Sequence, residues 1–165
     1  MADLPILTIN QITMSQEHNY KLNTVWTGNK GDGTKYVRTY DRSHKVSIEG
    51  KPELFLTTDN AAVGDKSKLN PEDLLISAIS SCHMLSYLYV CSMEGVVITS
   101  YEDNATGIMI EQASGGGSFK EVTLNPIVYV AEESMVERAI ELHHKAHEIC
   151  YIANSVNFEV KCHPT

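Results

Sequence analysis

Residues 70–83 read NPEDLLISAISSCH. Asn70 is a residue type that caps helices, Pro71 loses no needed donor at a first-turn position, and Glu72 and Asp73 suit the positive end of a helix dipole. From there Leu74, Leu75, Ile76, Ala78, Ile79, Leu85, Leu88, Tyr89 and Val90 spread around the whole circumference, until Glu94-Gly95 signals a stop. The pattern predicts a central helix buried on several sides. It carries a cysteine, Cys82, directly before a histidine, His83.

Upstream, from Tyr20 to Leu56, short β-type runs alternate with turn chemistry: LNTVWTG, the loop GNKGDGT, KYVRTY, HKVSIEG and, after Glu49-Gly50-Lys51-Pro52, ELFLTT. A meander of three or four antiparallel strands is expected. TDNAAVGDKSKLN at 58–70 lacks periodicity and reads as an exposed connection. Downstream, GVVITSYEDNATGIMIEQ and FKEVTLNPIVYVA read as two long strands joined through a glycine-rich hairpin tip, so the second sheet region is predicted antiparallel as well. SMVERAIELHHKAHEIC has helical spacing in Val136, Ala139, Ile140, His143, Ala146, His147 and Cys150, and YIANSVNFEVKCHPT returns as a final strand. Strands, helix, strands, helix, strand make an α+β chain. The first meander is too short to cover a helix apolar all round, so a partner chain is expected to complete the cover.

With 165 residues the chain fits one domain, 1–165, large enough for an apolar core without staples. The start, MADLPILTINQ, carries no basic stretch followed by an apolar run, and no run is read as approaching the ~18 apolar residues of a membrane span. The net charge is −8, from 13 basic and 21 acidic side chains, and the basic residues form no patch that could neutralise phosphates. A cytoplasmic protein without nucleic-acid or membrane partners is expected. Its four cysteines, Cys82, Cys91, Cys150 and Cys162, are then expected to be reduced, and any pair to be reactive instead of structural.

Cys82 follows Glu72 by ten positions, about 15 Å along the axis at 1.5 Å per residue, so the two cannot touch within the helix. Taken alone, Glu72 reads as a dipole-complementing acid and Cys82 as a small hydrophobe. Cys150, at the end of the second helix, opens a redox reading, which requires a second thiol within disulfide reach and a cation to hold one sulfur as thiolate. A rival uses the same residues: His143, His147 and Cys150 share a helical face, His83 adjoins Cys82, and thiolate with imidazole is zinc chemistry. The glycine loop 28–35 is no phosphate loop, since Thr34-Lys35 has the wrong order and a strand follows. Cys91 and Cys162 offer no partner chemistry and are expected to be inert.

NPEDLLISAISSCHMLSYLYVC, the tail AHEICYIANSVNFEV and the order of elements resemble the OsmC/Ohr family of thiol peroxidases. The strongest motif is Asn-Pro-Glu with Cys ten residues after the Glu, paired with Ala-His-x-x-Cys. The resemblance implies an OsmC-like α+β fold: an N-terminal antiparallel meander, a buried central helix, a second antiparallel sheet region and a C-terminal helix, in an intertwined homodimer with sites at the subunit interface. It implies reduction of organic hydroperoxides by a dithiol, needing neither cofactor nor metal. Cys82 would be the peroxidatic thiolate, Cys150 the resolving thiol, and Glu72 the carboxylate orienting an arginine. The chain has only Arg38, Arg42 and Arg138, none in the glycine loop where Ohr-like members carry theirs. Arg42 is the first choice for the cation, then Arg38, with Lys30 of the glycine loop as a point-charge substitute; His83 and His147 are further site candidates. The alternatives are a non-enzymatic OsmC-like dimer binding a small apolar ligand or partner, and a His/Cys metal-binding protein.

Overall fold

The computed structural model describes residues 16–60 and 62–165; the reading of the first eleven residues lies outside them. The chain divides into two compact units, one ending at Phe55 and one spanning Leu56–Thr165.

The strands β1 (Asn23–Trp26), β2 (His44–Ser47) and β3 (Leu54–Leu56), all of the first unit but for Leu56, form a sheet with β2 in the middle, β1 and β2 being antiparallel. The expected strand KYVRTY is not formed. The β1–β2 pairing continues past both strand ends, Thr27 N–H donating to Ser43 O at 2.9 Å and Asp41 N–H to Gly28 O at 2.8 Å. Residues 29–40 are thereby closed off as a loop. Tyr36 and Val37 stay exposed, with no strand beside them to reward an extended backbone.

The second unit is built on α1 (Pro71–Met93) and α2 (Val136–Ile149). The start of α1 is a full capping box: Asn70 Oδ1 accepts from Asp73 N–H at 2.7 Å while the Asp73 carboxylate accepts from Asn70 N–H at 3.2 Å. The helix stops at the Glu94 cap, and Gly95 follows at φ +73°, a conformation that favours glycine. Ile79 packs with Val122 and Leu124, while Tyr87, Val90 and Cys91 pack with Val96, Ala139, Leu142 and Ala146. One helix thus anchors two core clusters. Within a single chain its burial is not all round, however: Leu85, Tyr89 and Met93, four residues apart, are 63%, 61% and 71% exposed.

Each of the two long predicted strands is broken in the middle. The first becomes β4 (Ile98–Asp103) and β5 (Thr106–Glu111), the second β6 (Gly117–Leu124) and β7 (Pro126–Val130). β4 pairs with β7 and β5 with β6, both antiparallel, in two different sheets. At the break, Asn125 N–H donates to Asp103 Oδ1 at 2.7 Å and Asn125 Nδ2 to Asn104 O at 3.0 Å, replacing ladder bonds. The last strand, β8 (Glu159–Cys162), for which the sequence set no direction, pairs with β6 in parallel. The connection through α2 makes a parallel return possible, which a hairpin could not. The expectation about membrane spans also needs correction: α1, with 23 residues, is long and apolar enough to cross a membrane by length and composition. In this fold that length lies against α2 and β4.

Candidate active site

The capping box fixes where α1 begins, and so where Glu72 and Cys82 fall on it. Glu72, in the first turn, has its Oε2 buried with no hydrogen-bond partner among the described residues. Such a carboxylate oxygen is costly without a donor. Three turns on, Cys82 is half-buried. Cys150 caps the C-terminus of α2, fully buried, its N–H donating to His147 O at 3.2 Å.

The fold brings these two free thiols, 68 residues apart in sequence, near enough to influence each other electrostatically. Burial pushes the Cys150 thiol up to about 11; the hydrogen bond and charge of Cys82 add to the rise, while backbone amides of Ala153 and Ile152 oppose it. At neutral pH Cys150 therefore holds its proton. Cys82 is also the more accessible of the two.

Of the cation candidates, Arg42 donates from Nη1 to Tyr40 O at 2.8 Å and stacks on the Tyr40 ring at 4.1 Å, within the first unit. Arg38 and Lys30 belong to the same unit and are exposed. His147 lies on α2 with Nδ1 buried and unpartnered among the described residues.

His83 follows Cys82 but sits about 100° further round the helix, on its buried face. Its Nε2 is 3.0 Å from His143 Nδ1, and Cys162 Sγ lies 3.6 Å and 3.7 Å from these same two nitrogens. Tyr87 stacks on His143 at 3.8 Å between centroids and donates its hydroxyl to Ala139 O at 3.1 Å. Burial, then the neighbouring His147, hold His83 down at about 4, with Asp103 opposing; burial and His83 hold His143 at about 4. Both rings are neutral at pH 7. Burial, and secondarily the Asp103 charge, push the Cys162 thiol up to about 11.

Two sequence expectations change here. The face His143, His147, Cys150 is not the set whose ligand atoms converge; His83, His143 and Cys162 are, all within 4.8 Å of one another. Cys150 is engaged with Cys82 instead. Cys162 was read as inert, because its partners lie 79 and 19 residues away and meet it only through the parallel β6–β8 pairing. Two of its three members, His83 and His143, belonged to the zinc set read from the sequence; Cys162 did not. Cys91, by contrast, is fully buried in the core, where burial raises its thiol.

A family model described as OsmC-like protein matches residues 64–164. No curated protein matches the chain. Among solved structures, an OsmC-like protein of unknown function from Vibrio cholerae is similar at TM-score 0.79 and 27% identity, over 90% of this chain and 100% of that one. An organic hydroperoxide resistance protein from Elizabethkingia anophelis is similar at TM-score 0.66 and 21% identity, over 91% and 99%. The organic hydroperoxide resistance protein OhrB of Bacillus subtilis is similar at 0.62 and 20%, over 88% and 98%. With the family matched over most of its length and the α+β architecture in place, the chain belongs to the OsmC-like protein family.

Proposed function

We propose that the protein is a thiol-dependent peroxidase that reduces organic hydroperoxides to alcohols, with Cys82 as nucleophile and Cys150 as resolving thiol. The observation that carries this reading is that two free thiols from different helices, one half-buried and one fully buried, lie near enough for Cys82 to influence Cys150. The names of the Elizabethkingia and Bacillus structures add weight to the substrate class.

The Cys82 thiolate attacks the terminal oxygen of ROOH; the S–O bond forms as the O–O bond breaks, sulfur giving up two electrons. RO⁻ takes a proton and leaves as ROH, and Cys82 becomes a neutral sulfenic acid. That removes the negative charge which had helped hold the proton on Cys150, so the second thiol is eased toward ionisation at the moment it is needed. Cys150 then attacks the sulfenic sulfur, water leaves and a disulfide forms; a dithiol returns both sulfurs to the reduced state. The cation that holds Cys82 as thiolate is proposed to be Arg42, then Arg38 or Lys30. The buried Glu72 oxygen supports a donor at the start of α1.

A homodimer is part of the proposal. The exposed row Leu85, Tyr89 and Met93 on α1 supports it, since a large apolar row on one helix face favours a covering partner. Cytoplasmic location remains part of the same reading. The test is consumption of cumene or t-butyl hydroperoxide with a dithiol reductant: wild type turns over and Cys82→Ser does not. Undiminished activity in that variant eliminates the mechanism.

A further inference from the structure

We propose that His83, His143 and Cys162 form a binding site for a zinc-type divalent transition-metal ion, one per chain, distinct from the Cys82–Cys150 pair. Three elements converge on it: α1 supplies His83, α2 supplies His143 and β8 supplies Cys162. A tetrahedral zinc with Zn–N of about 2.0–2.1 Å and Zn–S of about 2.3 Å separates adjacent ligand atoms by about 3.3 Å (N···N) and about 3.6 Å (N···S). The two N···S separations are 3.6 Å and 3.7 Å and the N···N separation is 3.0 Å. Both sulfur edges therefore already have the length a metal requires. The nitrogen edge has to open by about 0.3 Å, a small ring rotation.

The donor types select the ion. Two imidazoles and a thiolate suit zinc and its neighbours, whereas magnesium and calcium take oxygen ligands. His83 and Cys162 are also held where a counter-charge exists: Asp103 acts electrostatically on both. Its carboxylate is fixed by the Ser80 hydroxyl and the Asn125 N–H. One thiolate and one nearby carboxylate offset the two positive charges of the ion in a buried place. A small apolar cavity of about 60 Å³, lined by Tyr87, Ala139, His143 and Thr165 among others, adjoins the cluster on the His143 side. The ion would tie β8 to both helices, and so fix the element that no hairpin holds in register.

The test is Co²⁺ titration of the reduced full-length protein, with a chelator-treated sample as the start. The expected result is one equivalent per chain, with the intense visible bands of a tetrahedral ion and a thiolate-to-cobalt charge-transfer band. Cys162→Ser should lose the charge-transfer band and at least tenfold in affinity; the double variant Cys82→Ser/Cys150→Ser should keep both. Should Cys162→Ser fail to fold, zinc-edge X-ray absorption on the wild type decides: one sulfur and two imidazole nitrogens are expected. No binding, or zero or two sulfurs at the ion, overturns the assignment. A band that survives in Cys162→Ser and disappears in the double variant does so too, by placing the metal at the redox pair. Because every readout is of bound metal, failure here leaves the peroxidase reading untouched, and loss of peroxidase activity leaves this site untouched.

Discussion

Replacing Cys82 by serine leaves Cys150 as the thiol nearest the vacated position, and the geometry sets how much that thiol can do. With its proton held up to about 11, Cys150 is four units above pH 7, a thiolate fraction of about 10⁻⁴. The serine variant also removes that part of the rise which Cys82 causes; were all of the rise lost, the ordinary value of 9.0 would leave about 10⁻². Against the Cys82 thiolate of the proposed mechanism as reference, residual peroxidase activity in Cys82→Ser is therefore expected between about 10⁻⁴ and 10⁻² of wild type, a barrier increase of about 2.7–5.4 kcal/mol. The full burial of Cys150 lowers it further by restricting access. The assay is initial-rate consumption of cumene hydroperoxide with a dithiol, from pH 6 to pH 10. Any residual rate should climb about tenfold per pH unit below the thiol's pKa, because only the thiolate attacks. A residual rate above a few per cent at pH 7, or one that does not change with pH, refutes the assignment of Cys82 as the nucleophile.

Four further outcomes follow from the same geometry. Cys150→Ser should consume one equivalent of hydroperoxide and then stall with a sulfenic acid that dimedone traps; peroxide-treated wild type with no Cys82–Cys150 disulfide by mass spectrometry would remove the resolving role. Arg42→Lys keeps the charge but loses the paired donors, so the peroxide rate should fall by tenfold or more; an unchanged rate transfers the role to Arg38 or Lys30. The raised Cys150 pKa means the native state binds more protons than the unfolded chain between about pH 9 and 11, so stability present below pH 9 is lost as pH rises through that window. The Cys150 share of the loss should be about 2–3 kcal/mol, read as the difference between wild type and Cys150→Ser in denaturant melts, since Cys162, also held up to about 11, keeps its own share in the variant; identical profiles in the two contradict the burial argument. Sedimentation should give twice the chain mass; a monomer would leave the exposed row Leu85, Tyr89 and Met93 without the partner proposed for it.

The central helix was legible in fourteen letters because its signals are local. Asn70, Pro71 and Asp73 act within one turn, and the capping box they form sets the phase of everything that follows on α1. Cys150 at the end of α2 was legible for the same reason. What failed was whatever depended on a distant partner. KYVRTY has strand composition, yet the hydrogen bonds Thr27 to Ser43 and Asp41 to Gly28 leave it nothing to pair with. The breaks at Asn104 and Asn125 look like ordinary polar positions until their hydrogen bonds with each other and with Asp103 are seen.

From the sequence alone came the element order, the helix start, the family resemblance and the two cysteines, since helix caps, periodicity and motif spacing act over a few residues. Tertiary structure decided which sulfur meets which neighbour. Cys82 and Cys150 are brought near each other, while Cys162, without any local signal, lies against His83 and His143, because β8 returns parallel to β6 and carries it there. Thiol and imidazole chemistry depends on separations of a few ångströms, and those are fixed by packing between elements, which no spacing along the chain encodes.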